Sequence, residues 1–264
     1  MEVHSFVIPA YGESPYLDNC IQGLLGQSVK SEVIITTSTP SPFLGDLAVK
    51  YCLPYFVNPQ TKAGIASDWN FALNQATTPL VTIAHQDDDY LPQFVELTVA
   101  KLKDNSRQQS LIAFTDYTEL IDDQHRTGNL NSFVKKSLLL PFLLKNKISN
   151  RLLKHAVLSL GDPICCPSVT INKEALPDFQ FSEDYTCVLD WEAWYQLAQQ
   201  KGAFIYINKK LVKHRIHDGS ETTNQLNTGL RQAEELQMFN KIWGKTFALV
   251  IAAFYKLGHR NNRI

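Results

Sequence analysis

Between Val3 and Phe114 short β-rich runs alternate with helix-periodic segments, and this alternation narrows the possible folds more than any other feature of the chain. Val3 to Ile8 is the first run and stops at Pro9, after which Ser14-Pro15 reads as an N-cap followed by a first-turn proline. Leu17, Ile21, Leu24 and Leu25 recur at spacings of three and four, which sets them on one helical stripe facing a sheet. The same reading gives strands at Val33 to Thr36, Tyr55 to Val57, Leu80 to Ala84 and Leu111 to Phe114. Helices are expected at Pro42 to Tyr51, Ser67 to Gln75 and about Pro92 to Lys103. Such a pattern implies βαβ units: an α/β fold with a doubly wound, mostly parallel central sheet flanked by helices. In sheets of this kind ligands bind outside the carboxyl ends of the strands. The residues just after Ile8, Thr36 and Ala84 are therefore expected to line one crevice.

The pattern then breaks. From Gln124 to Gly161 there is no Asp or Glu, and Arg126, Lys135, Lys136, Lys145, Lys147, Arg151 and Lys154 interleave with Leu138-Leu139-Leu140 and Phe142-Leu143-Leu144. A basic amphipathic helix pair of this kind either lies on an anionic membrane surface, through residues 133–160, or folds down as a flap on its own domain. Alternation resumes with a strand at Ser168 to Ile171, a helix near Asp190 to Gln200, and strands at Phe204 to Ile207 and Leu211 to Ile216. The tail from Asn224 reads as two helices, the last at Phe247 to Leu257. The expected organisation is a main domain at 1–223, with a basic helical insertion at 124–161 between halves at 1–116 and 162–223, and a C-terminal helical extension at 224–264. With 264 residues and about 150 residues per domain, the length suits one large domain with a modest appendage.

Composition removes several classes of function. The 25 Lys+Arg balance 26 Asp+Glu to a net charge of -1, so no global field draws the chain to nucleic acid. The 5 cysteines form no CxxC pair, which fits free thiols in a cytoplasmic protein better than a disulfide framework. The amino terminus has no signal-like apolar core, and no apolar run reaches the roughly 18 residues a spanning helix requires.

Chemistry concentrates in three segments. Leu80 to Ala84 leads directly into His85-Gln86-Asp87-Asp88-Asp89-Tyr90-Leu91-Pro92. Adjacent carboxylates repel one another, so such a run ordinarily marks a solvated turn. At the carboxyl end of an apolar central strand it instead suits a hard divalent cation shared with a substrate diphosphate. In Leu189-Asp190-Trp191-Glu192, Asp190 opens a helix, where capping is its bland role and general-base catalysis its functional one. In Lys213 to Ser220, strand alternation sets Lys213, Arg215 and His217 on one face and His214 with Ile216 on the other. On that reading at most one of the two histidines joins a site.

In this order the three segments resemble the family 2 glycosyltransferases, nucleotide-sugar-dependent enzymes of GT-A fold, over most of residues 3–223. Val7 to Tyr11, with Pro9, Ala10, Tyr11 and Glu13, is similar to the opening strand and turn that holds nucleobase and ribose. Gly64 and Asn70 resemble the segment leading into the metal strand, and Gln86-Asp87-Asp88-Asp89 resembles the aspartate-rich metal motif. Asp190-Trp-Glu resembles the segment bearing the base, and His217 with Ser220 and Thr222 resembles the closing Arg-x-His motif. Three positions depart from the family: Thr36 to Thr39 replaces an acidic turn, His85 takes the place of the first metal-motif acid, and Trp69 replaces an arginine.

The resemblance implies inversion by direct displacement at the sugar carbon, with Asp190 as base. It also implies Mn²⁺ or Mg²⁺ at Asp87, Asp88 and His217, with Asp87 the foremost ligand of the acidic run and Asp89 an alternative. The donor, a nucleoside-diphosphate sugar with UDP favoured, would meet Pro9, Ala10, Tyr11, Glu13, Ser38, Gly64, Asn70, Gln86 and Asp87. The implied acceptor is a glycan or lipid-linked hydroxyl at the inner membrane face, in surface polysaccharide synthesis. A nucleotidyltransferase would share sheet and acids, but Pro9 to Ser14 lacks the basic phosphate-gripping residues it needs. A non-catalytic nucleotide-sugar binding module and a membrane-surface scaffold are the remaining alternatives.

Overall fold

The computed structural model describes residues 2–60, 64–103, 109–121, 124–126, 130–217 and 229–260. Ser220, Thr222 and the boundary near 223 lie outside them. In chain order the elements are β1 (His4–Ala10), α1 (Leu17–Leu25), β2 (Glu32–Thr37), α2 (Pro42–Tyr51), β3 (Tyr55–Val57), α3 (Ile65–Gln75), β4 (Leu80–Ile83) and β5 (Asp89–Tyr90). Then follow α4 (Phe94–Lys103), β6 (Ser110–Ile121), β7 (Gln124–Arg126), α5 (Leu130–Leu138), α6 (Leu140–Leu144), β8 (Lys147–Ile148) and α7 (Arg151–Leu158). A single 3-10 turn, Cys166–Ser168, enters β9 (Val169–Asn172), and α8 (Leu189–Gln199), β10 (Ala203–Ile216), α9 (Leu230–Trp243) and α10 (Lys245–Arg260) complete the chain.

The sheet runs β3-β2-β1-β4-β9-β6-β10-β5, with β7 on β6 and β8 on β10. β1 pairs parallel with β2 and β4, and β10 parallel with β6. β9 runs antiparallel between β4 and β6, so the sheet is mostly parallel but mixed. β1 is buried on both faces: Val7 joins one apolar cluster with Ile83, Phe114 and Trp191, while Phe6 and Ile8 join the other with Leu17, Ile21 and Phe94. That two-sided burial explains its unbroken apolar run.

Several boundaries differ from expectation for identifiable reasons. The first helix begins at Leu17 with Tyr16 at its cap position, because Ser14 is held in the preceding turn, where its Oγ accepts from the Tyr16 amide at 3.3 Å. The strand expected at Leu111 to Phe114 continues to Ile121, its polar half hidden because Thr115 and Asp116 are themselves buried. The two strands expected at 204–207 and 211–216 are one strand, β10, whose register against β6 shifts around Lys210. These shifts fall where exposed Asn208, Lys209 and Lys210 interrupt the apolar pattern.

Among the described residues the basic insertion forms β7, β8 and three short helices, and Phe142 packs on Phe114 of β6 and Tyr206 of β10. Leu139, Phe142, Val157 and Leu158 are buried, while Phe133, Leu143, Leu144 and Leu152 are exposed. Lys154 is no surface residue: at 0% exposure it donates to the Gln200 and Gly202 carbonyls at 2.8 and 3.0 Å, and desolvation lowers its pKa to about 8. The insertion is thus a docked flap that still presents an apolar outer side.

Candidate active site

The acidic run follows β4 and turns back to lie along β10. Lys213 pairs with Asp89 and Val212 with Tyr90 in an antiparallel register, which brings Asp88 beside His214 and Asp87 beside Arg215. Each carboxylate meets basic partners there. Asp88, 0% exposed, accepts from the Arg215 amide at 2.9 Å and from His214 Nδ1 at 3.0 Å. His217 Nε2 lies 3.1 Å from Asp87 Oδ2, Arg215 Nε donates to the Asp87 carbonyl at 3.1 Å, and Arg215 Nη2 lies 3.4 Å from Asp89. The Arg215 guanidinium also covers the Tyr16 ring at 4.4 Å, a cation–π contact that fixes its plane.

The run is therefore not a solvated turn, and both histidines reach it. Only Asp89 and Tyr90 of the run are strand; Gln86 and Asp87 turn just before it, and this turn lets His214 reach Asp88 while His217 reaches Asp87. His217 lies one residue past the end of β10, where alternation no longer governs. Burial opposes ionisation of Asp88, but the facing His214 prevails and holds it below the ordinary carboxylate value. His214 is raised in turn: burial works against its charged form, and Asp88 outweighs that. His85 is lowered by desolvation.

Asp87 and His217, expected as ligands, meet as a pair, with Asp87 partly exposed. Among the described residues His85, Asp88 and His214 form a second set that could hold a divalent cation, with ligand atoms within 4.8 Å of one another. In the second set Asp88 is closed by its own hydrogen bonds, so Asp87 is the more available oxygen. Mixed carboxylate and imidazole donors suit Mn²⁺ at least as well as Mg²⁺.

On the β1 side, the Tyr11 amide and carbonyl bond the Gln86 side chain at 3.1 and 3.0 Å, joining the end of β1 to the acidic run. Gly12, at φ 61, turns the chain there and donates to Thr39 Oγ1 at 2.8 Å. Pro9 and Ala10 end β1, and Glu13 is exposed on the turn beyond it. Ser38 Oγ donates to Asp68 at 2.8 Å, and Asp68 also accepts from Asn58 at 2.9 Å. Gly64 sits at the cap position of α3. Asn70 faces elsewhere: its amide bonds both the amide and the carbonyl of Phe181, at 2.7 and 2.9 Å. Trp69 packs against His85 and Phe181 with ring centroids 5.2 and 5.0 Å apart, supplying an aromatic wall in place of a cation.

Asp190 is the second residue of α8 and not its cap; one oxygen takes the amide of Trp191 at 2.8 Å. Desolvation raises its pKa, against the Trp191 amide, Arg231, Lys135 and His85, which lower it. Beside it stands Asp162, whose buried Oδ2 has no hydrogen-bond partner and whose pKa is pushed well up by burial and then by the Asp190 charge. Asp162 and Glu234, which holds the turn entering α8, were not visible as site residues in the sequence; a Gly-Asp-Pro turn and a mid-helix Glu carry no local signal. Cys165 and Cys166 are free thiols pushed up by burial, far from nucleophile character.

Residues 5–176 match the family model for glycosyl transferase family 2. The chain is similar to an uncharacterised glycosyltransferase of Rickettsia typhi, 25% identical over 242 residues that cover 88% of this chain and 69% of that protein. Among solved structures it resembles Staphylococcus aureus TarS residues 1–349 in complex with UDP-GlcNAc, with a TM-score of 0.62 at 14% identity, covering 97% of this chain and 72% of that one. It equally resembles glucosyl-3-phosphoglycerate synthase of Mycobacterium tuberculosis in complex with Mn²⁺, UDP and glucosyl-3-phosphoglycerate, with a TM-score of 0.62 at 15% identity, covering 92% and 80%. At these identities the structural likeness is one of fold, the GT-A fold. The chain belongs to glycosyl transferase family 2, and it is a glycosyltransferase.

Proposed function

We propose that this glycosyltransferase moves a sugar, with inversion, from a UDP-sugar to a hydroxyl of a glycan or lipid-linked acceptor in surface polysaccharide synthesis. The observation that supports the reading is the contrast between the paired acidic run, Asp87 with His217 and Asp88 with His214, and the buried Asp190 carboxyl at the start of α8, which desolvation raises. The acceptor oxygen attacks the anomeric carbon while its proton passes to the Asp190 carboxylate. The bond from that carbon to the diphosphate breaks, and its electron pair leaves with the nucleotide. Burial favours this role by raising the Asp190 pKa above the ordinary carboxylate value.

Asp87 and His217 are the residues that would hold Mn²⁺, and the chemistry supplied there is neutralisation of the charge gathering on the leaving diphosphate. Asp88 anchors the run on β10. Pro9, Ala10, Tyr11, Glu13, Ser38, Gly64, Gln86 and Asp87 border the nucleotide crevice, with Asn70 bracing its wall through Phe181. Support for UDP and Mn²⁺ comes from the fold relatives captured with them. A thermal-shift panel of UDP, GDP, CDP and dTDP, each with and without Mn²⁺, tests the reading, since a ligand of the native state alone raises apparent stability. A shift that needs both UDP and Mn²⁺ is expected; no shift with any pair would move the assignment to a non-catalytic module.

Among the described residues no helix is long and apolar enough to cross a membrane. Exposed Phe133, Leu143, Leu144 and Leu152, in a stretch without acids, support peripheral contact with the inner face of an anionic membrane. Flotation of the full chain with phosphatidylglycerol vesicles but not with phosphatidylcholine vesicles is the expected result; equal behaviour with both would leave the insertion as a flap only.

A further inference from the structure

The turn that enters α8 is held from outside that helix, which has no side-chain cap of its own. Glu234, on α9 and 5% exposed, accepts the amides of Thr186 at 2.9 Å, Cys187 at 2.7 Å and Val188 at 3.2 Å. Three successive amides closing on one carboxylate form an anion nest of charge-assisted bonds. The same helix grips the first turn of α8 twice more. The Phe239 ring stands edge-on to Trp191 at 5.2 Å, and Lys241 Nζ lies 2.8 Å from Glu192. Asp190 therefore sits between an entering turn and two following residues that are all fastened to α9. None of these anchors falls within residues 5–176, the part of the chain that the family model matches.

We propose that Glu234 is a positioning residue of the transfer reaction: by fixing the turn entering α8 it sets the direction of the Asp190 carboxylate. The proposal rests on the reading of Asp190 as the base. Asp190 lies only two residues past Val188, so any rotation of the turn is passed to it almost undamped. With Glu234 serving the turn, Asp190 commits one oxygen to the Trp191 amide and is not drawn into capping, the role that competed with catalysis in the sequence. Other charged groups face Asp190 as well: Asp162 from the loop before β9, His85 from the acidic run, Lys135 from α5 and Arg231 from α9. The geometry of the turn, however, is held by Glu234.

The test compares full-length Glu234→Ala and Glu234→Gln with wild type. Two readouts are the Asp190 carboxyl titration by ¹³C NMR, assigned against Asp190→Asn, and UDP released from UDP-glucose or UDP-N-acetylglucosamine with Mn²⁺. For Glu234→Ala the Asp190 midpoint is expected to fall, because the turn amides released from Glu234 become available to the Asp190 carboxylate. Turnover should drop about 10- to 10²-fold, the range for a misplaced reacting group, while UDP affinity measured with Mn²⁺ stays within about twofold. Glu234→Gln keeps an oxygen acceptor and should recover most of the turnover. An unchanged midpoint in Glu234→Ala, a loss shared with UDP affinity, or a Gln variant no better than Ala would overturn the proposal. If the Ala chain does not fold, Glu234→Asp is read in its place with the same split expected. Normal turnover by Asp190→Asn would instead remove the base assignment, and the Asp190 midpoint would then decide on Glu234 alone.

Discussion

Two groups of aspartates meet opposite environments, one where β4 runs on to β10 and one at the head of α8. At the β4–β10 end, Asp87, Asp88 and Asp89 stand side by side, and each is answered by His217, His214 or Arg215. At the α8 end, Asp190 and Asp162 face each other with cations only at longer range, and both are raised by burial. Asp88 is thus lowered by its paired surroundings, whereas Asp190 and Asp162 are raised by burial. Environments that push carboxyl pKa values apart are what charge stabilisation and proton transfer together require, the division of roles proposed above. The pairing partners, not the aspartates themselves, decide which end is which.

The sharpest way to break this comparison is to remove the receptive carboxylate. Asp190→Asn should lower turnover by about 10²- to 10⁴-fold, the usual worth of general-base catalysis, and leave UDP and Mn²⁺ affinity intact. Turnover assays paired with calorimetric titration of UDP would show it; normal turnover would dissolve the distinction between the ends.

Removing the paired carboxylate should act on the fold instead. Asp88→Ala leaves His214 and the Arg215 amide without their acceptor, and breaking a buried pair from one side costs about 3–5 kcal/mol. The pH dependence of stability, measured by urea unfolding with chelator present, adds a sign to the test. Asp88 is lowered in the folded chain, so its contribution is complete above the unfolded value of about 3.9 and fades as the pH falls below it. His214 is raised, so its contribution is complete below about 6.5 and is lost as the pH rises through the folded value. Wild type should thus gain from the pair most between those limits, and Asp88→Ala should lose both flanks. A variant with the wild-type profile would show that the pair adds nothing.

A smaller effect is expected at the point where the charged end meets its cation. His217→Ala should weaken Mn²⁺-dependent UDP binding by about 10- to 100-fold, on the scale of losses when metal-site partners are removed, while Asp190 titrates as before. A Mn²⁺ response preserved in His217→Ala but lost in His85→Ala or His214→Ala would transfer the metal to the second donor set.

Much of this architecture was legible because it is local. β1, α2, β3 and β4 announce themselves by the alternation of β-rich and helix-periodic runs, with Pro42 opening α2; the Ser41 cap, whose Oγ accepts the Leu44 amide at 3.4 Å, is added by the structure. Asp87 stands out in a run of three adjacent acids after a strand, Asp190 at a helix start, and His217 through the family resemblance. What the sequence could not disclose is long-range pairing. That His214 as well as His217 would reach the acidic run depends on the run adding itself to β10 as an edge strand, which a two-residue β5 does not signal. Lys154 read as part of a basic surface stripe because its carbonyl partners come from the Gln200 to Gly202 turn. Glu234 and Asp162 owe their places entirely to the packing of α9 and of the loop before β9.

Gln86 offers the mildest perturbation and joins the acidic run to the end of β1. Its side chain closes a two-bond ring with the Tyr11 backbone, so it fixes the acidic run relative to the end of β1. Both bonds are exposed, and each neutral hydrogen bond contributes about 0.5–1.5 kcal/mol at most, with water ready to replace it. Gln86→Ala should therefore weaken UDP binding only about 3- to 10-fold, with neither the Asp190 titration nor the pH profile of stability displaced. Gln86→Glu is more telling, since a fourth carboxylate adjoining Asp87, and without the amide donor for Tyr11, would raise repulsion at the charged end alone. If its UDP affinity falls further than that of the alanine variant and Mn²⁺ narrows the gap, the run handles charge; if Mn²⁺ makes no difference, Gln86 acts only through the Tyr11 contact.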